Sequence, residues 1–130
     1  MRNAVALDTH TLIWSLFKPR YLGKASENLI KTASLVLVST ISLAEIEIKS
    51  IAGKLKFPAI TPALLKATNF ELVTFDADAA NEIGRFGGLS GHDPFDRMLL
   101  AQASANDAYF VTADSVLLGQ GLDFVVDAES

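Results

Sequence analysis

At 130 residues, half of them hydrophobic, the chain is long enough for one compact domain with a sizeable core and short for two. A net charge of −4 argues against binding nucleic acid through a broad basic face, although carboxylates reserved for metal ions would give the same sign before the ions arrive. The absence of cysteine excludes a disulfide framework and a Cys-based zinc site, and suits a reducing cytoplasm.

Arg2 is followed by only a short apolar run, broken by Asp8 and His10 with no small-residue cleavage site after it, so the start of the chain does not read as a signal peptide. Residues 4–7 predict a short buried strand, and 9–17 a helix that Pro19 stops. An amphipathic helix is expected over 24–33 and a second buried strand over 35–38. Ser39, Thr40 and Ser42 offer N-caps for a helix running to about Ala52, where Gly53 ends it. These same polar residues interrupt the longest apolar run, which falls short of the roughly 20 residues a membrane-spanning helix needs. A soluble, cytoplasmic protein is therefore expected.

Pro58 and Pro62 bracket a connection into a helix over 63–69, followed by a strand over 71–75. Asp76 caps a helix through about Ile83. Gly84, Gly87, Gly88 and Gly91 predict a flexible loop. Residues 93–106 form the best-defined helix, followed by a strand over 108–111, a short helix over 115–118 and a last strand over 124–126. Short unbroken apolar strands alternating with helices predict an α/β fold: a short, mostly parallel central sheet flanked by helices on both faces, in one domain over 1–130. Ligands of such sheets bind beyond the carboxyl ends of the strands. Asp8 and Asp114 both fall at that edge.

Four segments far apart in sequence each place a carboxylate where an apolar run ends. Asp8 and Asp114 can each be read as an N-cap or as a site residue. Glu45 is harder to read as structural, because Ile41, Ile48 and Ala52 at helical spacing set it on an apolar, inward face. An ion pair with Lys49 one turn later contributes only about 0.2–0.5 kcal/mol on an exposed helix, too little to offset burying a charge. In Asp93-Pro94-Phe95-Asp96, Asp93 reads first as a cap, whereas Asp96 shares its face with Leu99, Leu100 and Ala103. His10 and His92 could border the same pocket. Neither has a second histidine at ligand spacing, so structural roles or loop exposure are expected for both. Trp14 and the eight phenylalanines read as core rather than as base-stacking platforms.

Taken together, the segments resemble the PIN-domain ribonucleases, most closely the VapC-type toxins of bacterial toxin–antitoxin pairs, over nearly the whole length. LDTHTLIW at 7–14 is similar to the family's first motif. SLAEIEIK at 42–49, with GKL at 53–55, is similar to its second, DPFDRMLLAQA at 93–103 to its third, and VTAD at 111–114 to its fourth. The resemblance implies an acidic metal-binding and catalytic set of Asp8, Glu45, Asp96 and Asp114, with Asp93 as an accessory acid and Thr112 supporting the last Asp. Arg97 matches the family's Arg. One departure concerns His92: members with this third motif usually carry one residue between the His and the first Asp, whereas His92 adjoins Asp93 directly, so no role transfers to it.

Oxygen-only ligands suit Mg²⁺ or Mn²⁺, and such an ion lowers the pKa of a water and stabilises charge on a scissile phosphate. The resemblance thus implies metal-dependent endoribonuclease activity leaving a 5′-phosphate and a 3′-hydroxyl. Lys49, Lys54 and Arg97 are candidate phosphate contacts. A small antitoxin protein and a second copy of the chain are the implied partners. Two other readings are a metal-dependent phosphatase or phosphoacceptor on a similar sheet, and a PIN-like binding scaffold without activity. A haloacid-dehalogenase-type phosphatase wants an Asp where His10 stands. A receiver domain wants an acid pair and a late Lys that are not at the expected places. Inactive scaffolds usually lose the ligand acids, and here all four positions are acidic.

Overall fold

The computed structural model describes residues 2–54, 56 and 58–130; Leu55, which closes the 53–55 part of the second motif, lies outside them. Five strands form one sheet: β1 (Ala4–Leu7), β2 (Leu35–Ser39), β3 (Phe70–Val73), β4 (Ala108–Thr112) and β5 (Val125–Asp127), in the spatial order β3-β2-β1-β4-β5. Every pairing is parallel, so the sheet is wholly parallel rather than mostly so. The helices are α1 (Thr9–Phe17), α2 (Lys24–Thr32), α3 (Thr40–Ile51), α4 (Pro62–Ala67), α5 (Ala77–Glu82), α6 (Pro94–Ala105) and α7 (Ser115–Leu118).

Side chains alternate across a strand, and the two hydrophobic clusters follow that alternation. Val5 and Leu7 of β1 and Val111 of β4 point into one cluster with Leu12, Ile13 and Ile30 of α1 and α2. Ala6 and Phe110 point into the other, with Leu99, Leu100 and Ala103 of α6. Helices therefore cover both faces, as the apolar strand runs require. Among the described residues no helix is long and apolar enough to cross a membrane.

Several boundaries differ from the sequence expectation for local reasons. Asn69 adopts φ 60°, a left-handed conformation that Asn tolerates, which stops α4 at Ala67 and starts β3 at Phe70 instead of Glu71. Gly53, at φ 73°, follows the end of α3 as a left-handed residue, as expected. Residues 84–91 do not form an open glycine loop. A 3₁₀ segment spans Ile83–Leu89, anchored by buried Leu89 and by Phe86 against Phe124. The apolar face expected on α3 is only partly inward: Ser42, Glu45 and Ile46 are buried, but Ile48 is exposed and Ile51 is 86% exposed. The last turn of α3 thus runs into solvent.

Residues 128–130 pack against the start of α2. The Ser130 carbonyl accepts from Ala25 and Ser26 N–H at 3.1 and 3.2 Å, and the Ser26 hydroxyl donates to the Ala128 carbonyl at 2.6 Å. These satisfy helix-end donors that would otherwise be orphaned. A Cβ on Gly23 would lie 1.9 Å from the Ser130 carbonyl oxygen. Gly23→Ala is therefore expected to lower stability by about 1–3 kcal/mol, as overpacking does. An unchanged urea midpoint would show that the 128–130 segment is not seated there.

Candidate metal centre

Strands β1, β2 and β4 end at the same edge of the sheet, and the chain leaves each of them into a helix. Strand order reverses about β1, the position at which open α/β sheets bind ligands. A cleft of about 220 Å³ opens there, lined by Asp8, Glu45, Asp93, Asp96 and Asp114 together with His10, Trp14, Lys49 and Ala113. Carboxylates from four distant segments meet in it. A larger cleft of about 600 Å³ lies elsewhere, between Ser15, Ile30, Val36 and Phe70. Its acid, Glu27, is paired with Lys31 at 3.6 Å, and it gathers no reactive cluster.

The cap and site readings of the aspartates turn out to be compatible, because a carboxylate has two oxygens. Asp8 Oδ1 caps α1 by accepting from Thr11 N–H at 2.8 Å, while Oδ2 accepts from the Thr112 hydroxyl at 2.6 Å. Asp93 Oδ1 caps α6, accepting from Phe95 N–H at 2.8 Å and Asp96 N–H at 3.3 Å. Asp114 Oδ1 caps α7, accepting from Val116 and Leu117 N–H at 2.9 and 3.0 Å, and Oδ2 is left facing the cluster. Helix N-termini carry partial positive charge, so α1 and α6 help to hold the acids together. Thr112 links two segments: its hydroxyl donates to Asp8 and accepts from Asp114 N–H at 3.0 Å.

Glu45 is anchored by two partners. The Thr9 hydroxyl donates to its Oε1 at 2.5 Å and lies 3.2 Å from the Ser42 hydroxyl, and Lys49 Nζ donates to its Oε2. The i,i+4 pair weighed from sequence does form, yet the Glu45 side chain is only 4% exposed, so the pair operates inside the cleft and not on an open helix face. The Glu45 carboxylate holds the Lys49 ammonium above its usual pKa. Lys54 is exposed, and neither it nor Arg97 is among the residues lining the cleft.

The electrostatics follow from this crowding. Burial pushes the Asp8 carboxyl above its usual pKa, against the lowering effect of its bonds from Thr112 and Thr11. Asp96 is raised to about 7, first by burial and then by the charges of Asp93, Asp114, Asp8 and Glu45. Five carboxylates facing one ammonium leave the cleft short of positive charge. A hard divalent cation with oxygen ligands fits that deficit and that donor set.

His92 borders the pocket, as its position beside Asp93 allows, but its approach to Asp96 and Asp114 is a contact that sequence reasoning missed. Its ring is 20% exposed, and Nε2 lies 3.2 Å from Asp96 Oδ2 and 3.3 Å from Asp114 Oδ2, so loop exposure is excluded. One ligand atom from each of these three residues lies within 4.8 Å of the others. The readable signal was its i,i+4 spacing to Asp96. His10 borders the cleft, with its ring 6.4 Å from that of Trp14. Trp14 both packs on the core and lines the cleft. Thr9 was read as the first helical residue, and its hydroxyl role on Glu45 was not foreseen.

The chain belongs to the PIN-domain family, which residues 5–118 match. None of the curated proteins matches it in sequence. Its fold is similar to VapBC2 from Rickettsia felis bound to a promoter DNA fragment, with a TM-score of 0.69 and 18% identity over 95% of this chain and 98% of that one. DNA-bound VapBC from Salmonella typhimurium has a TM-score of 0.66 and 23% identity over 98% of each chain. VapBC-5 from Mycobacterium tuberculosis, of a toxin–antitoxin family, has 0.59 and 21% over 98% and 99%. At these identities the likeness is one of fold.

Proposed function

We propose that the chain is a Mg²⁺- or Mn²⁺-dependent endoribonuclease, the toxin of a toxin–antitoxin pair, acting in the cytoplasm as a single domain over 1–130. One observation carries the reading: acids from four distant segments converge at the switch point of a PIN fold, in a cleft where five carboxylates face the single ammonium of Lys49. Asp8, Glu45, Asp96 and Asp114 hold the ion, with Asp93 as an accessory acid. When bound, the ion supplies an acidified water and neutralises charge building on the scissile phosphate and leaving oxygen.

The chain's own residues do the positioning. Thr112 fixes Asp8 and the backbone of Asp114, so the ends of β1 and β4 present their carboxylates in a set relation. Thr9 and Lys49 fix Glu45. Lys49, at the cleft, is the nearest cation for a phosphate, and Lys54 and Arg97 extend the contacts outward. RNA as substrate, a homodimer and an antitoxin protein that covers the cleft are what the likeness to VapC-type toxins implies, and the VapBC architecture of the solved relatives supports the last.

The test is cleavage of end-labelled RNA, and of DNA of the same sequence, with Mg²⁺ or Mn²⁺ and with EDTA. RNA should be cut to 5′-phosphate and 3′-hydroxyl ends, and EDTA should abolish cutting. Intact RNA in the presence of either ion, or cleavage that survives chelation, would overturn the reading.

A further inference from the structure

His92 is held firmly at the wall of the cleft. Its N–H donates to the Leu89 carbonyl at 2.9 Å, closing the 3₁₀ segment that Leu89 anchors in the core. The Nε2 atom is fully buried and makes no hydrogen bond, although it lies 3.2 Å from Asp96 Oδ2 and 3.3 Å from Asp114 Oδ2. It is therefore close to two carboxylate oxygens without the alignment that an N–H donor to either needs. A buried polar nitrogen left in this way is costly unless something else satisfies it.

A cation between the three atoms satisfies all of them. Octahedral ions bind their donors at about 2.0–2.2 Å, which sets neighbouring donors about 3 Å apart. The two distances from Nε2 are close to that edge length, and Asp114 Oδ2 is the oxygen not used in capping α7. We infer that His92 Nε2 is a metal ligand, joining Asp96 and Asp114 in a mixed nitrogen–oxygen site. This rests on the metal-centre reading above. An imidazole donor among carboxylates also shifts preference from Mg²⁺ toward later first-row ions.

The test is pulsed electron paramagnetic resonance of the Mn²⁺-loaded chain, in which a directly bound nitrogen modulates the spin echo. The chain has two histidines, so the signal can be assigned. The unsubstituted protein should show ¹⁴N modulation, and labelling its histidines with ¹⁵N should change the pattern without any substitution. His92→Gln should remove the modulation and weaken Mn²⁺ binding about 10-fold or more, whereas His10→Gln should keep both. Mn²⁺ that binds without nitrogen modulation, or modulation that survives His92→Gln, overturns the assignment and leaves the acidic metal site standing. Absence of any Mn²⁺ binding overturns both.

Discussion

Asp8→Asn is expected to lower RNA cleavage by more than about 100-fold while leaving the fold at least as stable. Substituting an outer partner of a metal ligand costs about 10–100-fold, so losing the charge of a ligand itself exceeds that. Asp8 leaves the central strand at the switch point, is 4% exposed, and is held in place by its bonds from Thr11 N–H and the Thr112 hydroxyl. Asn keeps the volume and can still cap α1 through the oxygen that accepts from Thr11 N–H. Because burial disfavours the charged form, the neutral amide relieves the desolvation cost of Asp8, which offsets the bond from the Thr112 hydroxyl that the amide nitrogen cannot accept. Cleavage rate and thermal midpoint measured together separate the two effects. Asp76 gives the control: it caps α5 through Ala79 N–H at 3.0 Å and does not line the cleft, so Asp76→Asn should preserve the rate. Wild-type cleavage by Asp8→Asn would end the acidic-site reading.

The inner strands β1, β2 and β4 were readable because each is a short apolar run with a polar stop, whereas the edge strands β3, which carries exposed Glu71, and β5 have no fully buried residue and a weaker pattern. Their parallel pairing follows from the helices between them. Boundaries were less readable where one residue's backbone decided them, as at Asn69. The glycines at 84–91 suggested freedom, but Phe86 and Leu89 gave the segment apolar anchors, and packing overrode local permissiveness. Asp8, Asp93 and Asp114 each posed a choice between cap and site that sequence could not resolve, since the choice is made oxygen by oxygen in three dimensions. Glu45 was singled out on a face argument that Ile48 and Ala52 do not support. Its burial comes instead from α1 and α6 packing on the first half of α3, where Ser42 and Ile46 are also buried. The His92 contact with Asp114 was not legible for a related reason: it depends on how the 3₁₀ segment turns into α6, which spacing alone does not encode.

In the absence of divalent ions, stability is expected to fall as pH rises from about 4 to above 7. Asp96 has its pKa raised from 3.8 to about 7, so the native state binds this proton more tightly than the unfolded chain does. Below 3.8 both states are protonated and stability is unaffected. Between the two values the unfolded chain has lost a proton that the native state keeps, so stability declines with pH. Above 7 both are ionised and the full loss remains. The carboxylate is partly exposed and its repulsion is shared among several acids, which reduces the loss to about 2 kcal/mol after screening. Asp8, also raised by burial, acts in the same sense. Glu82, held low by the Ser104 hydroxyl and by Arg85, acts in the opposite sense only below 4.5, outside this window. Asp96→Asn should flatten the decline. Mg²⁺ competes with the same proton, so at pH 8 an ion at about 100 times its Kd should add about 2.7 kcal/mol and at pH 5 much less. Urea unfolding at the two pH values, with Mg²⁺ or with EDTA, measures all of these. A decline of equal steepness in Asp96→Asn would remove Asp96 as its source, and equal Mg²⁺ stabilisation at both pH values would separate the ion from this carboxylate.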